Sequence, residues 1–142
     1  MTIKEEQDAI IEEFSMYGDW MEKYEYIIQL GKELPLISAE YKTDDNLIRG
    51  CQSKVWLHTD QRDGRLWFTA DSDALITKGL ISMMVRVLTG HTPQEIVDAD
   101  VYFIDAIGLR SHLSPTRSNG LLSMLRQIKA YALAYAVKNQ TS

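Results

Sequence analysis

Apolar residues recur at helical spacing near the start of the chain, and a capping signal precedes each run. Thr2 and Glu5 stand in capping-box spacing, which predicts a first helix from about Ile3 to Phe14. Asp19 repeats the N-cap signal ahead of a second apolar face, which predicts a helix from roughly Trp20 to Leu30. The pattern therefore predicts two consecutive helices.

The helical period stops between Glu33 and Gly50, and an alternating pattern follows. The runs "KVWLHT" and "RLWFTA" are rich in aromatic and β-branched residues and are separated by a segment ending in Asp-Gly, which predicts an antiparallel hairpin. Val55 and Leu57 share one predicted face, and Trp56 and His58 share the other. The 33–50 segment is predicted to be a long loop or an irregular extended stretch, and loops of that length in a compact domain usually carry function.

A third predicted helix runs from about Asp73 to Leu88, with Ser72 or Asp71 as its cap. Apolar residues cover most of its surface. Polar residues recur on it at every fourth position, at Lys78, Ser82 and Arg86. A helix with one narrow polar stripe is mostly buried, because the rest of its surface avoids water.

Two cap-plus-proline signals mark the remaining predicted helices. Thr92, Pro93 and Glu95 supply an N-cap, a first-turn proline and a capping-box acid for a short helix. The pair 114–115 repeats the cap and proline ahead of a final helix that ends near Lys138. That helix carries one continuous apolar stripe, at Leu121, Leu125, Ile128, Ala132 and Tyr135.

These elements predict one α+β domain that covers residues 1–142. A chain of 142 residues with 45% hydrophobic content has the length of about one domain, and no internal repeat or interdomain linker divides it. We expect a small antiparallel β-sheet of about three strands, packed against N- and C-terminal helices.

Charge excludes one class of partner and the apolar pattern excludes another. Fifteen basic and twenty acidic residues give a net charge of −5, which is unfavourable for binding a nucleic acid backbone. The N-terminal segment is acidic and amphipathic, unlike a secretory signal. The longest apolar run, 80–88, is too short to span a membrane. We therefore expect a soluble, cytoplasmic protein without nucleic acid or membrane partners.

The single cysteine, Cys51, lies where the predicted loop meets the predicted strand. It stands between Gly50 and the polar pair Gln52 and Ser53. One cysteine cannot form an internal disulfide, so either the compartment is reducing or the thiol has another use. A lone cysteine is often an inert small hydrophobe in a core. The glycine, the polar neighbours and the junction argue for a functional thiol, so both interpretations stay open.

Three kinds of chemistry can be compared for a reactive Cys51. A thiolate-rich metal site is excluded, because the chain has one cysteine and its three histidines are far apart. A Cys-His hydrolase that pairs Cys51 with His112 remains possible, although no local signature supports it. Group carriage, in which the sulfur accepts a group from a partner and passes it on, also needs only one thiol. A persulfide carrier is more stable without a second cysteine, because that cysteine would form a disulfide with the first and release the carried sulfur. Arg49 and Lys54 flank the thiol and Arg117 is a further candidate cation, since positive charge favours thiolate.

Five ordered blocks around the cysteine resemble the SufE family of sulfur-acceptor proteins. The blocks are "DWMEKYEYIIQLGKELP", "GCQSKVWL", "DSDALITKGL", "TPQEIV" and "HLSPTRSNGL". The resemblance covers nearly the whole chain and implies a fold shared with IscU-type scaffolds. One departure is Lys54, at a position where glutamine is frequent in the family.

The resemblance implies that Cys51 is the acceptor nucleophile for persulfide sulfur from a SufS-type cysteine desulfurase. The sulfur would then pass to iron-sulfur scaffold proteins of the SufB type, and pyridoxal phosphate would belong to the desulfurase, so this chain needs no cofactor or metal of its own. A CsdE-like carrier for a paralogous desulfurase is the alternative within the family. The chain would act as a monomer or homodimer. The positions implied in partner or loop binding are Gly50, Gln52, Ser53, Asp73, His112 and Arg117.

Overall fold

Helices dominate the fold, and one β-hairpin interrupts them. The computed structural model describes residues 1–141. The helices are α1 (Ile3–Ser15), α2 (Trp20–Gly31), α3 (Leu75–Leu88), α4 (Pro93–Asp98), α5 (Phe103–Ile107), α6 (Leu109–His112) and α7 (Pro115–Thr141), and the strands are β1 (Val55–Arg62) and β2 (Arg65–Ser72). The predicted α+β class is confirmed.

The capping signals of the first two helices form as predicted. The Thr2 hydroxyl accepts a hydrogen bond from the Glu5 N–H at 3.0 Å, and the Glu5 carboxylate accepts one from the Thr2 N–H at 3.0 Å. The Asp19 carboxylate accepts a hydrogen bond from the Glu22 N–H at 2.8 Å. Both helices end one residue beyond their predicted ends, at Ser15 and Gly31.

The hairpin is confirmed, but the expected sheet of about three strands is too large. Within residues 1–141 the sheet consists of β1 and β2, joined by a turn in which Asp63 and Gly64 have positive φ, 55° and 75°. A third segment meets β2 only as an isolated bridge between Leu36 and Ala70. It does not extend, because Pro35 has no N–H to donate and the chain turns into a short 3₁₀ helix at 39–41.

The two faces of the hairpin divide as predicted. Val55 and Leu57 are fully buried against the helices, whereas Trp56 and His58 are half-buried on the outer face. The Tyr41 ring stacks on His58 with 3.7 Å between centroids, and the Lys42 ammonium lies 4.6 Å from the Trp56 ring centroid. The long loop after α2 is thus packed along the outer face of the sheet.

Helix α3 is the buried centre of the domain, and it begins at Leu75 rather than at Asp73. Ser72 and Asp73 are outside the helix because both pair with Lys54: the Ser72 hydroxyl and the Asp73 N–H each donate to the Lys54 carbonyl, at 2.8 and 3.2 Å. Ala74 is the N-cap and supplies no side-chain acceptor, so the predicted cap at Ser72 or Asp71 is wrong.

Two glycines bring α2 and α3 into close contact. A Cβ added at Gly79 would overlap the carbonyl oxygen of Ile27, and one added at Gly31 would lie 3.1 Å from the Gly79 nitrogen. The predicted polar stripe of α3 faces this side: the Ser82 hydroxyl donates to the Leu30 carbonyl at 2.8 Å, and Arg86 binds Glu13 and Glu6 on α1. Ser82 and Arg86 therefore fasten α3 to the two N-terminal helices, while Lys78 pairs with Asp71 of β2.

The C-terminal half contains two short helices, α5 and α6, that the sequence pattern does not indicate. Gln7 of α1 holds this region: its Nε2 donates to the Asp100 carbonyl at 3.0 Å, and its Oε1 accepts from the N–H groups of Tyr102 and Phe103 at 2.8 and 3.1 Å. The predicted α4 cap at Thr92 is present, and α7 extends beyond Lys138. No helix in residues 1–141 has the length and apolar character needed to cross a bilayer.

Candidate functional site

Cys51 lies at the middle of a short loop, residues 49–54, here called the cysteine loop. The Ile48 N–H donates to the Val55 carbonyl at 2.8 Å and closes the base of the loop. Lys54 is held on the second side, since its N–H donates to the Asp73 carboxylate at 3.0 Å. Within the described part of the chain, the backbone of residues 49–53 makes no hydrogen bond to its surroundings. The loop is therefore fixed at its ends and lightly held at its tip.

Gly50 turns the cysteine toward the start of α7. Its φ is +92°, a conformation that is strained for any residue with a side chain. A Cβ at this position would also overlap the side chain of Ser123 on α7. Both constraints require glycine here, and the reversal at Gly50 directs the next residue inward.

The Cys51 thiol is half-buried against the backbone of α7. Its Sγ lies 3.5 Å from the carbonyl oxygen of Gly120, within the range of a weak S–H donor. Burial raises the pKa of the Cys51 thiol, because a buried thiolate loses hydration. The resting site thus favours the neutral thiol, which is a poor nucleophile. Neither the flanking Arg49 nor Lys54 offsets this effect of burial.

A small cavity of about 90 Å³ opens beside the thiol. It lies where the first turns of α3 and α7 meet the cysteine loop. Its lining consists of Cys51, Gln52, Ser53, Thr77, Leu80, Thr116, Arg117, Gly120 and Met124. Thr77 is only 7% exposed, and in the described residues no hydrogen bond engages its hydroxyl. The cavity therefore combines an apolar floor with polar groups from both helices.

The structure brings together most of the residues singled out from the sequence. Gln52, Ser53 and Arg117 line the cavity with Cys51. Asp73 does not line it. Its carboxylate instead holds the loop at Lys54, and this contact accounts for its place outside α3.

His112 lies apart from the cavity. Its ring stacks on Trp20 with 3.9 Å between centroids, and its Nδ1 is 3.0 Å from the Gly108 carbonyl oxygen. Tyr24 donates a hydrogen bond to the His112 carbonyl. The arrangement fastens α6 to α2 and gives no support to a Cys51–His112 catalytic pair.

Thr77, Thr116 and Gly120 are cavity residues that the sequence pattern does not single out. A helix that starts at Asp73 would place Thr77 in the second turn, within an apolar cylinder. The observed start at Leu75 places it in the first turn, beside the loop. The only signal available is its presence inside the block "DSDALITKGL".

Comparison with known proteins agrees with this arrangement. The SufE family, described as the Fe-S metabolism associated domain, matches residues 8–132. An uncharacterized SufE-like protein of Rhizobium meliloti (strain 1021) is 41% identical over 130 residues, covering 88% of this chain and 93% of the relative. The solution structure of a hypothetical protein from Thermus thermophilus has a TM-score of 0.75 at 18% identity, and the match covers 96% of this chain and 97% of that one.

The structural match and the sequence matches support different conclusions: the first concerns the fold and the others concern the family. The structural match shares too little sequence to carry more than the fold, while the matched residues 8–132 and the 41% identical relative include the cysteine loop, α3 and the start of α7. The chain belongs to the SufE family.

Proposed function

We propose that this protein accepts persulfide sulfur on Cys51 from a SufS-type cysteine desulfurase, stimulates that enzyme, and passes the sulfur on for iron-sulfur cluster assembly. The SufE family has a sulfur-transfer role in iron-sulfur metabolism, with a cysteine desulfurase as the interaction partner. The observation that carries the proposal is a lone, half-buried thiol at the tip of a loop that is fixed only at its base.

The transfer is a thiol–disulfide type of exchange. The Cys51 thiolate attacks the terminal sulfur of the donor persulfide, a new S–S bond forms at Cys51, and the donor cysteine leaves as its thiolate. The step needs no external oxidant or reductant. Removing sulfur from the desulfurase frees its cysteine for the next cycle, which is the physical basis of stimulation.

Because burial raises the pKa of the Cys51 thiol, the resting conformation disfavours the thiolate that the transfer needs. We propose that docking on the desulfurase draws the tip of the cysteine loop outward, where the thiol regains hydration and ionises. The segment before the loop is held on the sheet by Tyr41 and Lys42, so movement is confined to residues 49–53. Three residue steps separate Cys51 from each fixed end of the loop, and when extended they span roughly 10 Å, which limits how far the thiol can move outward. The motion is gating, and the chemistry remains an exchange between sulfur atoms.

Intact-mass measurement tests the proposal. Incubation with a SufS-type desulfurase and free cysteine should add about 32 Da, one sulfur atom, to this chain. Cys51→Ser should show no adduct, and Thr59→Val, changed on β1 away from the cavity, is the folded control. An adduct that persists in Cys51→Ser would exclude Cys51 as the acceptor.

The same assay separates the alternatives. A CsdE-like carrier would be loaded by, and would stimulate, a paralogous desulfurase in preference to a SufS-type enzyme. A binding module with an inert cysteine would resist a thiol reagent in the native state and would gain no sulfur from either enzyme. SufB-type scaffold proteins are the proposed downstream acceptors, and transfer of the labelled sulfur to them is the corresponding measurement.

A further inference from the structure

A second cavity lies beside the last turns of α3, away from the cysteine loop. Its volume is about 230 Å³, and it is bounded by the end of α2, the segment that follows α2, and α3. Its lining consists of Leu30, Glu33, Pro35, Ser82, Met83, Val85, Arg86 and Thr89. None of these residues lines the cavity beside Cys51, so the proposed sulfur transfer makes no use of this second cavity.

The interior of this cavity is apolar. Met83 and Val85 are at most 1% exposed. The two hydroxyls in its walls already have partners, since the Ser82 hydroxyl donates to the Leu30 carbonyl at 2.8 Å and the Thr89 hydroxyl accepts from a backbone N–H of β2 at 3.0 Å. A ring or a hydrocarbon chain therefore suits the interior, because it leaves water and breaks no hydrogen bond of the fold.

The charges around the cavity favour a cation. The Arg86 guanidinium is bound by two carboxylates of α1, Glu6 at 3.1 Å and Glu13 at 2.6 Å, so its positive charge is already offset. Glu33 is exposed, and among residues 1–141 its carboxylate has no hydrogen-bond or ion-pair partner. The charge that remains is negative, which attracts an ammonium group and repels a carboxylate.

We propose that this cavity binds a small apolar ammonium compound, with its ring or chain against Met83 and Val85 and its ammonium group beside Glu33. The size is suitable, because an apolar cavity of about 150 Å³ is enough to hold benzene. The inference goes beyond the proposed function and does not depend on it. A ligand here contacts both α2 and α3, so its binding stabilises the folded chain in proportion to its concentration.

Benzylamine is the probe, with benzyl alcohol and benzoate as neutral and anionic analogues of similar size. The full chain, labelled with ¹³C at its methionine methyl groups, is titrated and followed by NMR. The Met83 resonance, identified by its loss in Met83→Leu, should shift with benzylamine with a Kd of the order of 1 mM. Met124 lines the cavity beside Cys51, and its resonance should stay in place.

The charge preference is tested by comparing the three probes. Benzyl alcohol should bind about threefold more weakly than benzylamine and benzoate about tenfold more weakly, as expected for a partly hydrated charge. Glu33→Gln should bind benzylamine and benzyl alcohol equally. Glu40→Gln is the matched control, since Glu40 is exposed but does not line the cavity, and it should keep the threefold preference. Equal binding of benzoate and benzylamine by the wild type would overturn the ammonium assignment.

Filling the cavity provides the second test. Val85→Phe should place its ring in the cavity, keep a Tm close to that of the wild type and abolish the shift of the Met83 resonance. Val87 is equally buried but does not line the cavity, so Val87→Phe should lower the Tm by about 5 °C or more through overpacking. The site would be overturned if Val85→Phe lost as much stability as Val87→Phe. It would also be overturned if the Met83 resonance of the wild type stayed in place at benzylamine concentrations about tenfold above the expected Kd.

Discussion

Thr77 and Ser82 lie on the same helix, α3, and each is 7% exposed, yet the fold uses only one of them. The Ser82 hydroxyl donates to the Leu30 carbonyl at 2.8 Å and fastens α3 to α2. Thr77 lines the Cys51 cavity, and its hydroxyl has no hydrogen-bond partner within the described residues. Most buried polar groups in a folded protein are paired, so Ser82 acts as a structural residue, whereas the fold makes no use of the Thr77 hydroxyl.

A similar contrast separates two regions of α3: the side that packs against α1 and α2, and the first turn beside the cysteine loop. On the side that faces α1 and α2, glycine contacts and paired charges fix the helix in place. At its first turn, the cysteine loop and the start of α7 leave space and unused donors. Rigid packing on one side thus positions the first turn of α3 beside the lightly held cysteine loop.

The largest expected effect comes from breaking the packed side. Gly79→Ala should lower the free energy of unfolding by about 3 kcal/mol, because the new Cβ overlaps the Ile27 carbonyl oxygen and α2 must move away. Urea denaturation measures this. Gly18→Ala is the control, since nothing lies within 4 Å of a Cβ there, and should change stability by less than about 0.5 kcal/mol. A Gly79→Ala protein as stable as the wild type would show that α2 and α3 are not held in contact by this glycine.

A second effect of about 1 kcal/mol is expected from the charged contact on the polar stripe of α3. Hydrogen bonds from Arg86 hold the pKa of the Glu13 carboxyl below its usual range. This contribution is fully present above the unfolded carboxyl pKa of about 4.3 and is lost as the pH falls through the lower folded value.

Stability measured from about pH 6 to about pH 3 should therefore fall more steeply in the wild type than in Glu13→Gln, which cannot titrate at this position. Urea midpoints at several pH values give the comparison. Parallel curves for the two proteins would contradict a stabilising role for the pair that joins Arg86 to Glu13.

The smallest effect compares the two hydroxyls directly. Ser82→Ala should cost about 1 kcal/mol of unfolding free energy, the typical net contribution of a buried hydrogen bond. Thr77→Val should change the stability of the unloaded protein by less than about 0.5 kcal/mol, since no bond within the described residues is lost. Chemical denaturation of both variants measures the difference. Equal losses would show that Thr77 is a structural residue.

Much of the fold follows from local signals that need no partner from elsewhere in the chain. The caps at Thr2, Asp19 and Thr92 and the Asp-Gly turn of the hairpin all form as predicted. They are recognisable because each satisfies backbone groups within a few residues of itself. The alternation of Val55 and Leu57 likewise identifies the buried face of β1.

The start of α3 and the surroundings of the thiol depend on contacts between distant segments. Ser72 and Asp73 form hydrogen bonds with the backbone of Lys54 and therefore lie outside the helix. The sequence pattern of residues 71–74 does not indicate these bonds, because Lys54 is distant in sequence. That shift of two residues moves Thr77 into the first turn and toward the cavity.

The sequence is enough to identify the Cys51 thiol as a candidate functional group, because the glycine before it and the polar residues after it are visible without the structure. Its burial against Gly120, the separation of His112 from it and the convergence of Thr77 with Arg117 arise only when α3 and α7 pack beside the loop. Local backbone bonding is encoded over a few residues, whereas desolvation and the direction of a buried hydroxyl are set by whichever segments fill the space around them.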